Sequence, residues 1–213
     1  GITPLQDAGP GNGLERWQAF RELIDSGKIQ PRVTMMAGSG RLKDLIDAGF
    51  SFGSGDTNLR LGHVKIMLTM TTGALNPSLE ELRDIATGAS QAGFPVAVHC
   101  VEQEAVAAAA QVISELPPLP PGVPPHRIEH CSECPPEVLD VVRRSGAAVV
   151  TQPGFIYWNG PSYRANVAES LQPHLYPIGA LVAAGINAAF GSDASVINPN
   201  PWTAIHSAAT RQD

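Results

Sequence analysis

Short apolar segments rich in β-branched residues alternate with longer amphipathic segments along almost the whole chain. Several of the short segments are apolar nearly throughout, which is typical of strands buried on both faces of a parallel sheet. Strands are predicted at residues 2–6, 32–37, 64–68, 95–99, 127–130, 147–151 and 188–190. Such an alternation favours parallel strands joined by helices, arranged either as a β/α barrel or as a doubly wound sheet.

Helical patterns fill the intervals between these strands. They are predicted at residues 14–26, 42–48, 78–92, 102–116, 136–145, 175–184 and 201–210. Three of them end directly before a glycine, namely Gly93, Gly146 or Gly185, as a left-handed helix C-cap requires. Residues 116–125 include six prolines and are predicted to form a stiff surface loop, so we expect no domain boundary there.

Composition narrows the classes of function and partner. The formal net charge of −6 gives no electrostatic reason to bind nucleic acid or an anionic membrane, and no apolar run is long enough to span a bilayer. Three cysteines do not suggest a disulfide framework, so we expect a reduced, cytoplasmic protein. Cys131 and Cys134 form a C-x-x-C pattern, either as a redox pair or as two reduced thiols in a turn. The sequence leaves homo-oligomerisation open.

Polar residues end or interrupt several of the apolar strands. His99 and His130 each end a predicted strand, Asp193 follows another within Gly-Ser-Asp, and Lys65 lies inside a fourth. In a β/α barrel the carboxyl ends of the strands converge on one mouth, where active sites lie. These side chains therefore suit a shared metal ion, although a single histidine at a strand end is more often a hydrogen-bonded structural residue.

Seven segments resemble the amidohydrolase superfamily, in the amidohydrolase-3 branch that includes N-substituted formamide deformylase. They are GITPLQDAG (1–9), VKIMLTMTTGAL (64–75), AGFPVAVHC (92–100), HRIEHC (126–131), VVTQPGFIYW (149–158), YPIGALVAAGI (176–186) and FGSDA (190–194). They occur in the family's order and span nearly the whole chain. The resemblance implies a TIM-type (β/α) barrel of which about seven βα units are present.

The resemblance also implies a metal site and a role for each ligand. The family binds divalent metal through a His-x-His on its first strand, a lysine or glutamate on the fourth, histidines on the fifth and sixth, and an aspartate on the eighth. Lys65, His99, His130 and Asp193 match the last four of these positions. The lysine is carboxylated in many members, and the aspartate passes a proton from the activated water to the leaving nitrogen. We expect zinc, with iron or manganese as alternatives.

The chain departs from the family pattern at its first strand. No two of its six histidines are two residues apart, and residues 1–9 resemble the family's second strand. We therefore expect residues 1–213 to be a partial metal-dependent hydrolase barrel domain, covering strands 2 to 8 without the flanking β-sandwich. Alone, it is expected to have little activity.

The resemblance further predicts a hydrolase that cleaves a non-peptide C–N bond in a small amide, N-acyl or N-formyl substrate. Tyr157 and Trp158 are expected in a substrate-facing loop with Gln152, unless they only pack within that loop. Glu102 follows His99 at the spacing used by deaminases of the superfamily, so deamination is the alternative, and an inactive barrel fragment is another. His63 is predicted to be a surface residue.

Overall fold

Strands and helices alternate through residues 2–212, the part of the chain that the computed structural model describes. The strands are β1 (Pro4–Asp7), β2 (Arg32–Gly38), β3 (Leu59–Met67), β4 (Thr69–Thr71), β5 (Ala74–Asn76), β6 (Val96–Cys100), β7 (Arg127–His130), β8 (Ala148–Thr151) and β9 (Ala188–Phe190). The α-helices are α1 (Leu14–Asp25), α2 (Leu42–Asp47), α3 (Leu79–Gln91), α4 (Gln103–Glu115), α5 (Pro136–Ser145), α6 (Gly154–Asn166), α7 (Ile178–Ala183) and α8 (Pro201–Thr210).

Seven of the strands form one sheet in the order β1-β2-β3-β6-β7-β8-β9, and β4 pairs with β5 in a separate antiparallel hairpin. The pairs β1–β2, β2–β3, β7–β8 and β8–β9 are parallel. The order never reverses along the sheet, whereas a doubly wound sheet reverses at its switch point. The fold is therefore the incomplete TIM-type barrel that the sequence predicts.

The chain divides into two compact units. The first consists of Gly1–Met67, Pro77–Val98 and Leu116–His126. Its core lies along β2 and β3, where Met35, Leu61 and Ile66 are almost completely buried. Trp17 of α1 packs edge-on against Phe50, with ring centroids 4.9 Å apart.

The second unit consists of Leu68–Asn76, His99–Glu115 and Arg127–Asp213. The alanine-rich α4 packs against α5, and α6 packs against α8. Phe155 and Ile156 of α6 form a buried cluster with Leu175 and Tyr176.

Helix boundaries follow the capping signals in the sequence. Ser78 and Glu81 form a capping box at the start of α3, since each side chain accepts a hydrogen bond from the other residue's backbone N–H. Gly93, Gly146 and Gly185 adopt the left-handed conformation expected of them, with φ of +82°, +70° and +72°.

Helix α6 is the largest element that the sequence prediction misses. The family resemblance places Tyr157 and Trp158 in a loop, and the helix that contains them includes Gly154, Gly160 and Pro161, which are poor helix formers. Packing against α8 compensates for this weak propensity. Tyr157 and Trp158 therefore lie on a helix and not in a loop.

The prediction of His63 as a surface residue is wrong. Strand β3 begins at Leu59, five residues before the predicted start, so His63 lies within the strand and is buried. Its Nε2 donates a hydrogen bond to the carbonyl oxygen of Pro125 at 3.1 Å, and its ring packs edge-on against Phe52. Among the helices of residues 2–212, none combines the length and the apolar character that crossing a membrane requires.

Candidate functional site

His99 and His130 come together at the carboxyl ends of two strands in the second unit. His99 is the fourth residue of β6 and His130 is the last residue of β7. Their imidazole rings meet edge to face, with centroids 4.5 Å apart and planes inclined at 77°. The structure thus brings together two of the four predicted metal ligands.

The backbone turns sharply as it leaves β7. His130 and Cys131 both have positive φ, at +71° and +50°, which is uncommon for residues other than glycine. The turn is held by backbone hydrogen bonds from Cys131 N–H to Cys100 O at 3.3 Å and from Glu133 N–H to Val101 O at 3.0 Å. Strained backbone of this kind concentrates at functional sites, where the surrounding structure maintains it.

His130 is buried and makes a short hydrogen bond. Its Nδ1 lies 2.6 Å from the side-chain oxygen of Gln152, the residue that follows β8. A neutral imidazole with a proton on Nδ1 carries its lone pair on Nε2. Neutral imidazole nitrogen is the form that binds divalent metal ions.

The donor chemistry of the pair fits part of a metal site. Two adjacent imidazoles suit zinc, iron or manganese, which the resemblance implies. Within residues 2–212, however, no three side chains of His, Cys, Asp or Glu lie close enough together to hold an ion. The histidine pair is therefore a two-ligand arrangement, and the complete ligand set stays a prediction.

Asp193 is exposed in the turn that follows β9. It has a φ of +53°, and its carbonyl oxygen accepts a hydrogen bond from the Val196 N–H at 2.8 Å. Aspartate is among the residues that tolerate this left-handed conformation. It does not join the two histidines in a three-residue cluster, so its role as ligand and proton carrier stays a prediction.

Lys65 lies in β3 of the first unit and is only 5% exposed. The sequence prediction that this lysine is buried in a strand is confirmed. A charged amine in such a position costs several kcal/mol unless it is paired or chemically modified. Its carboxylation and its role as a ligand stay predictions.

Tyr176 is a buried polar residue that the sequence reasoning missed. Its hydroxyl lies 3.0 Å from the hydroxyl of Tyr163, its N–H donates to Ser132 O at 2.7 Å, and its ring stacks on Phe155. Burial, followed by the neighbouring Tyr163 phenol, raises the pKa of the Tyr176 phenol. The hydroxyl therefore stays protonated and able to donate. Its positive φ of +44° has no signal in the sequence.

Tyr157 and Trp158, the predicted substrate-binding residues, are 39% and 47% exposed on α6. Their rings pack edge to face with centroids 5.4 Å apart, and Tyr157 also meets the ring of His206 at 6.3 Å. They form an aromatic surface on α6 and α8.

Two acidic residues flank the start of α4. Glu102 precedes the helix and is half-buried, and its carbonyl oxygen accepts the Val106 N–H. The carboxylate of Glu133 accepts the Gln103 N–H at 3.2 Å. Burial raises the pKa of Glu133, and the charges of Glu102 and Glu104 add to this shift.

All three cysteines are buried and none forms a disulfide bond within the described residues. A hydrogen bond with Cys134, together with burial, raises the pKa of the Cys131 thiol well above its usual value. Reactive cysteines have a lowered pKa and some exposure, so this environment favours the interpretation of the C-x-x-C pattern as two reduced thiols in a turn.

Comparison with solved structures identifies chains of similar fold. The chain is similar to an uncharacterised metal-dependent hydrolase from Pyrococcus horikoshii OT3, with 22% identity and a TM-score of 0.76, over 97% of this chain and 43% of that chain. It is also similar to a Xaa-Pro dipeptidase with bound methionine in the active site, with 20% identity and a TM-score of 0.58, over 97% of this chain and 59% of that chain.

A third similar structure is a guanine deaminase from C. acetobutylicum with guanine in its active site, with 14% identity and a TM-score of 0.52, over 91% of this chain and 46% of that chain. The chain thus spans less than two thirds of the length of each of these proteins. A comparison with curated proteins finds no match. The sequence profile of the amidohydrolase family matches residues 1–213. Together with the barrel topology and the paired histidines at the strand ends, this match shows that the chain belongs to the amidohydrolase family.

Proposed function

We propose that the chain is part of a metal-dependent hydrolase that cleaves a C–N bond in a small amide, N-acyl or N-formyl compound. The observation that carries the proposal is the contact between the imidazoles of His99 and His130, in a chain that matches the amidohydrolase family throughout. Zinc is the metal we expect, with iron or manganese as alternatives.

The proposal gives each site residue a separate task. His99 and His130 act as neutral nitrogen ligands, Lys65 contributes an oxygen ligand once its amine is carboxylated, and Asp193 completes the set. A divalent ion held by these residues would supply an activated water near neutral pH and would polarise the scissile carbonyl. Asp193 is proposed as the general base and acid, which would take up a proton and pass it to the leaving nitrogen.

Tyr157 and Trp158 are proposed to contact the substrate. Both rings are partly exposed, and they pack edge to face on α6. Aromatic surfaces of this kind bind flat or apolar groups and add the stacking preference of their ring faces. The proposal therefore favours a substrate with an apolar or aromatic portion beside the bond that is cleaved.

Deamination is the second candidate. Glu102 follows His99 by three residues and lies beside the N-terminus of α4, where a carboxylate could carry a proton. One of the similar structures is a guanine deaminase. The two reactions differ in their products, because a deaminase releases ammonia from an aminated heterocycle and a hydrolase releases an amine and an acid.

Metal content is the first test of the proposed function. The full chain is purified with and without added zinc, manganese or ferrous iron, and bound metal is measured by mass spectrometry. We expect stoichiometric metal that is lost in His99→Asn and His130→Asn and retained in the control variant His206→Asn. A chain that never binds metal, or that binds it equally well in all variants, contradicts the proposal and supports an inactive barrel.

Substrate class is tested separately with the metal-loaded protein. A panel of N-formyl and N-acyl amines is compared with Xaa-Pro dipeptides and amino-heterocycles, which match two of the similar structures. Amine release from the first group supports the proposal, and ammonia release from the third supports deamination. We also propose a cytoplasmic location, which the low cysteine count favours.

A further inference from the structure

We infer that Gln152 is a positioning residue that fixes the tautomer and ring orientation of His130, so that Nε2 carries the lone pair. The inference has two consequences, one for the tautomer of His130 and one for metal affinity. Only the second, metal affinity, rests on the proposed function. The first consequence, the tautomer of His130, is a property of the chain without metal and is tested independently.

The contact between the two side chains is short and well buried. The distance from His130 Nδ1 to Gln152 Oε1 is 2.6 Å, and both side chains are more than nine-tenths buried. Hydrogen bonds become stronger where water is excluded. A carbonyl-type oxygen only accepts, so this contact requires the proton on Nδ1.

A second hydrogen bond sets the direction of the Gln152 amide. Its Nε2 donates to the carbonyl oxygen of Val150 at 3.3 Å, which turns Oε1 towards His130. A rotated amide would present its NH₂ group to the imidazole and would lose the contact with Val150. The backbone is also fixed, since the Gln152 carbonyl oxygen accepts the Phe155 N–H at the start of α6.

The end of β9 packs against the same amide. Gly191 N–H donates to Thr151 O at 2.9 Å, and a Cβ placed on Gly191 would lie 3.6 Å from Gln152 Nε2. This close approach of the β9 backbone limits the space into which the Gln152 side chain could move. The side-chain amide is therefore held by its own strand and by the segment that leads to Asp193, and the Gln152 backbone is held by α6.

These restraints determine which ring nitrogen of His130 carries the lone pair and in which direction it points. With Nδ1 donating to Gln152, a half-turn of the ring would place a C–H group against Oε1 and forfeit the hydrogen bond. The edge-to-face contact with His99 adds a second restraint on the same ring. A ligand imidazole whose other nitrogen is held in this way has a fixed tautomer and orientation, and loss of the holding group lowers metal affinity by about 10- to 100-fold.

Three variants test the inference. Gln152→Met keeps the length of the side chain but removes the acceptor, and Gln152→Glu restores an acceptor oxygen. The matched control is Gln172→Met, because Gln172 Nε2 makes comparable hydrogen bonds to Val167 O and Arg164 O in the same unit. Circular dichroism and urea unfolding establish that each variant is folded before it is compared.

The primary measurement is the ¹⁵N spectrum of histidine-labelled full chain without metal, at a pH where imidazoles are neutral. The His130 signals are assigned by their loss in His130→Asn. We expect a protonated Nδ1 and an unprotonated Nε2 in the wild type, in Gln152→Glu and in Gln172→Met, and loss of that pattern in Gln152→Met. An unchanged His130 tautomer in folded Gln152→Met, or a wild type protonated on Nε2, overturns the inference.

Zinc affinity, measured by competition with a chromophoric chelator, is the second measurement. We expect a loss of about 10- to 100-fold in Gln152→Met, recovery in Gln152→Glu and no change in Gln172→Met. If the tautomer changes as expected but no variant or wild-type chain binds zinc, the proposed function fails while the role of Gln152 in holding His130 stands.

Discussion

The backbone N–H of Val96 donates a hydrogen bond to Nδ1 of His126, with 3.1 Å between the two nitrogen atoms. Val96 is the first residue of β6, and His126 is the residue before β7. The bond needs a lone pair on Nδ1, so it exists only while that nitrogen is unprotonated. Burial acts in the same direction, because it lowers the pKa of His126.

The first prediction is that His126 makes the protein less stable as the pH falls. Its folded-state pKa lies below the ordinary value of 6.5, so the unfolded chain takes up a proton at a higher pH than the folded chain does. The contribution of His126 is therefore complete above about pH 6.5 and is lost as the pH falls towards its folded-state pKa. Urea unfolding between pH 7.5 and pH 5 measures this loss.

Two substitutions isolate the effect of His126. His126→Leu leaves the Val96 N–H without an acceptor and should cost about 1–3 kcal/mol at neutral pH. It should also flatten the dependence of the free energy of unfolding on pH. The exposed His206 provides the control, since His206→Asn should keep the wild-type dependence. If the free energy of unfolding depends equally on pH in the wild type and in His126→Leu, His126 does not cause the acid sensitivity.

The second prediction concerns the thiols of Cys131 and Cys134. The raised pKa of Cys131 leaves little of its thiolate near neutral pH, and burial keeps reagents away from both side chains. Iodoacetamide should therefore leave both residues unmodified in the native chain and modify them rapidly in urea, as measured by peptide mass spectrometry. Rapid labelling of native Cys131 would instead favour the redox interpretation of the C-x-x-C pattern.

Much of the fold follows from local patterns in the sequence, whereas the contacts that orient the side chains of the site do not. Apolar strands that end in histidine predict that His99 and His130 meet, because parallel strands direct their carboxyl ends to one edge. The contact between His130 and Gln152 spans 22 residues and involves side chains of two different strand ends, so no spacing rule reveals it. The left-handed backbone of Tyr176 is equally invisible in the sequence, and its hydrogen bond to Ser132 and its stacking on Phe155 join residues far apart in the chain.

The third prediction concerns the capping box of α3. Ser78 Oγ accepts the Glu81 N–H at 3.3 Å, and the Glu81 carboxylate accepts the Ser78 N–H at 2.9 Å. Ser78→Ala should lower the free energy of unfolding by about 1 kcal/mol, since it leaves a helix N–H without its side-chain acceptor. Ser114→Ala is the matched control, because the Ser114 hydroxyl only donates to Gln111 O near the end of α4. Urea unfolding of both variants decides whether the loss of stability is specific to the helix cap.

The last prediction concerns the charge of Glu133. Its carboxylate accepts the Gln103 N–H at the start of α4, yet burial and the nearby Glu102 and Glu104 raise its pKa above the ordinary 4.5. The folded state therefore holds the proton of Glu133 more tightly than the unfolded state does. The contribution of Glu133 to stability is complete below about pH 4.5 and is lost as the pH rises through its folded-state pKa.

Gln at position 133 keeps an oxygen that can accept the Gln103 N–H but carries no charge. Glu133→Gln should therefore be more stable than the wild type at neutral pH, and the difference should vanish below pH 4.5. Glu137→Gln, at an exposed position in the first turn of α5, is the control and should show no such gain. A helix N-terminus attracts negative charge, by typically 0.3–1 kcal/mol. If Glu133→Gln is less stable at neutral pH, this attraction outweighs the burial of the carboxylate and the repulsion from its acidic neighbours.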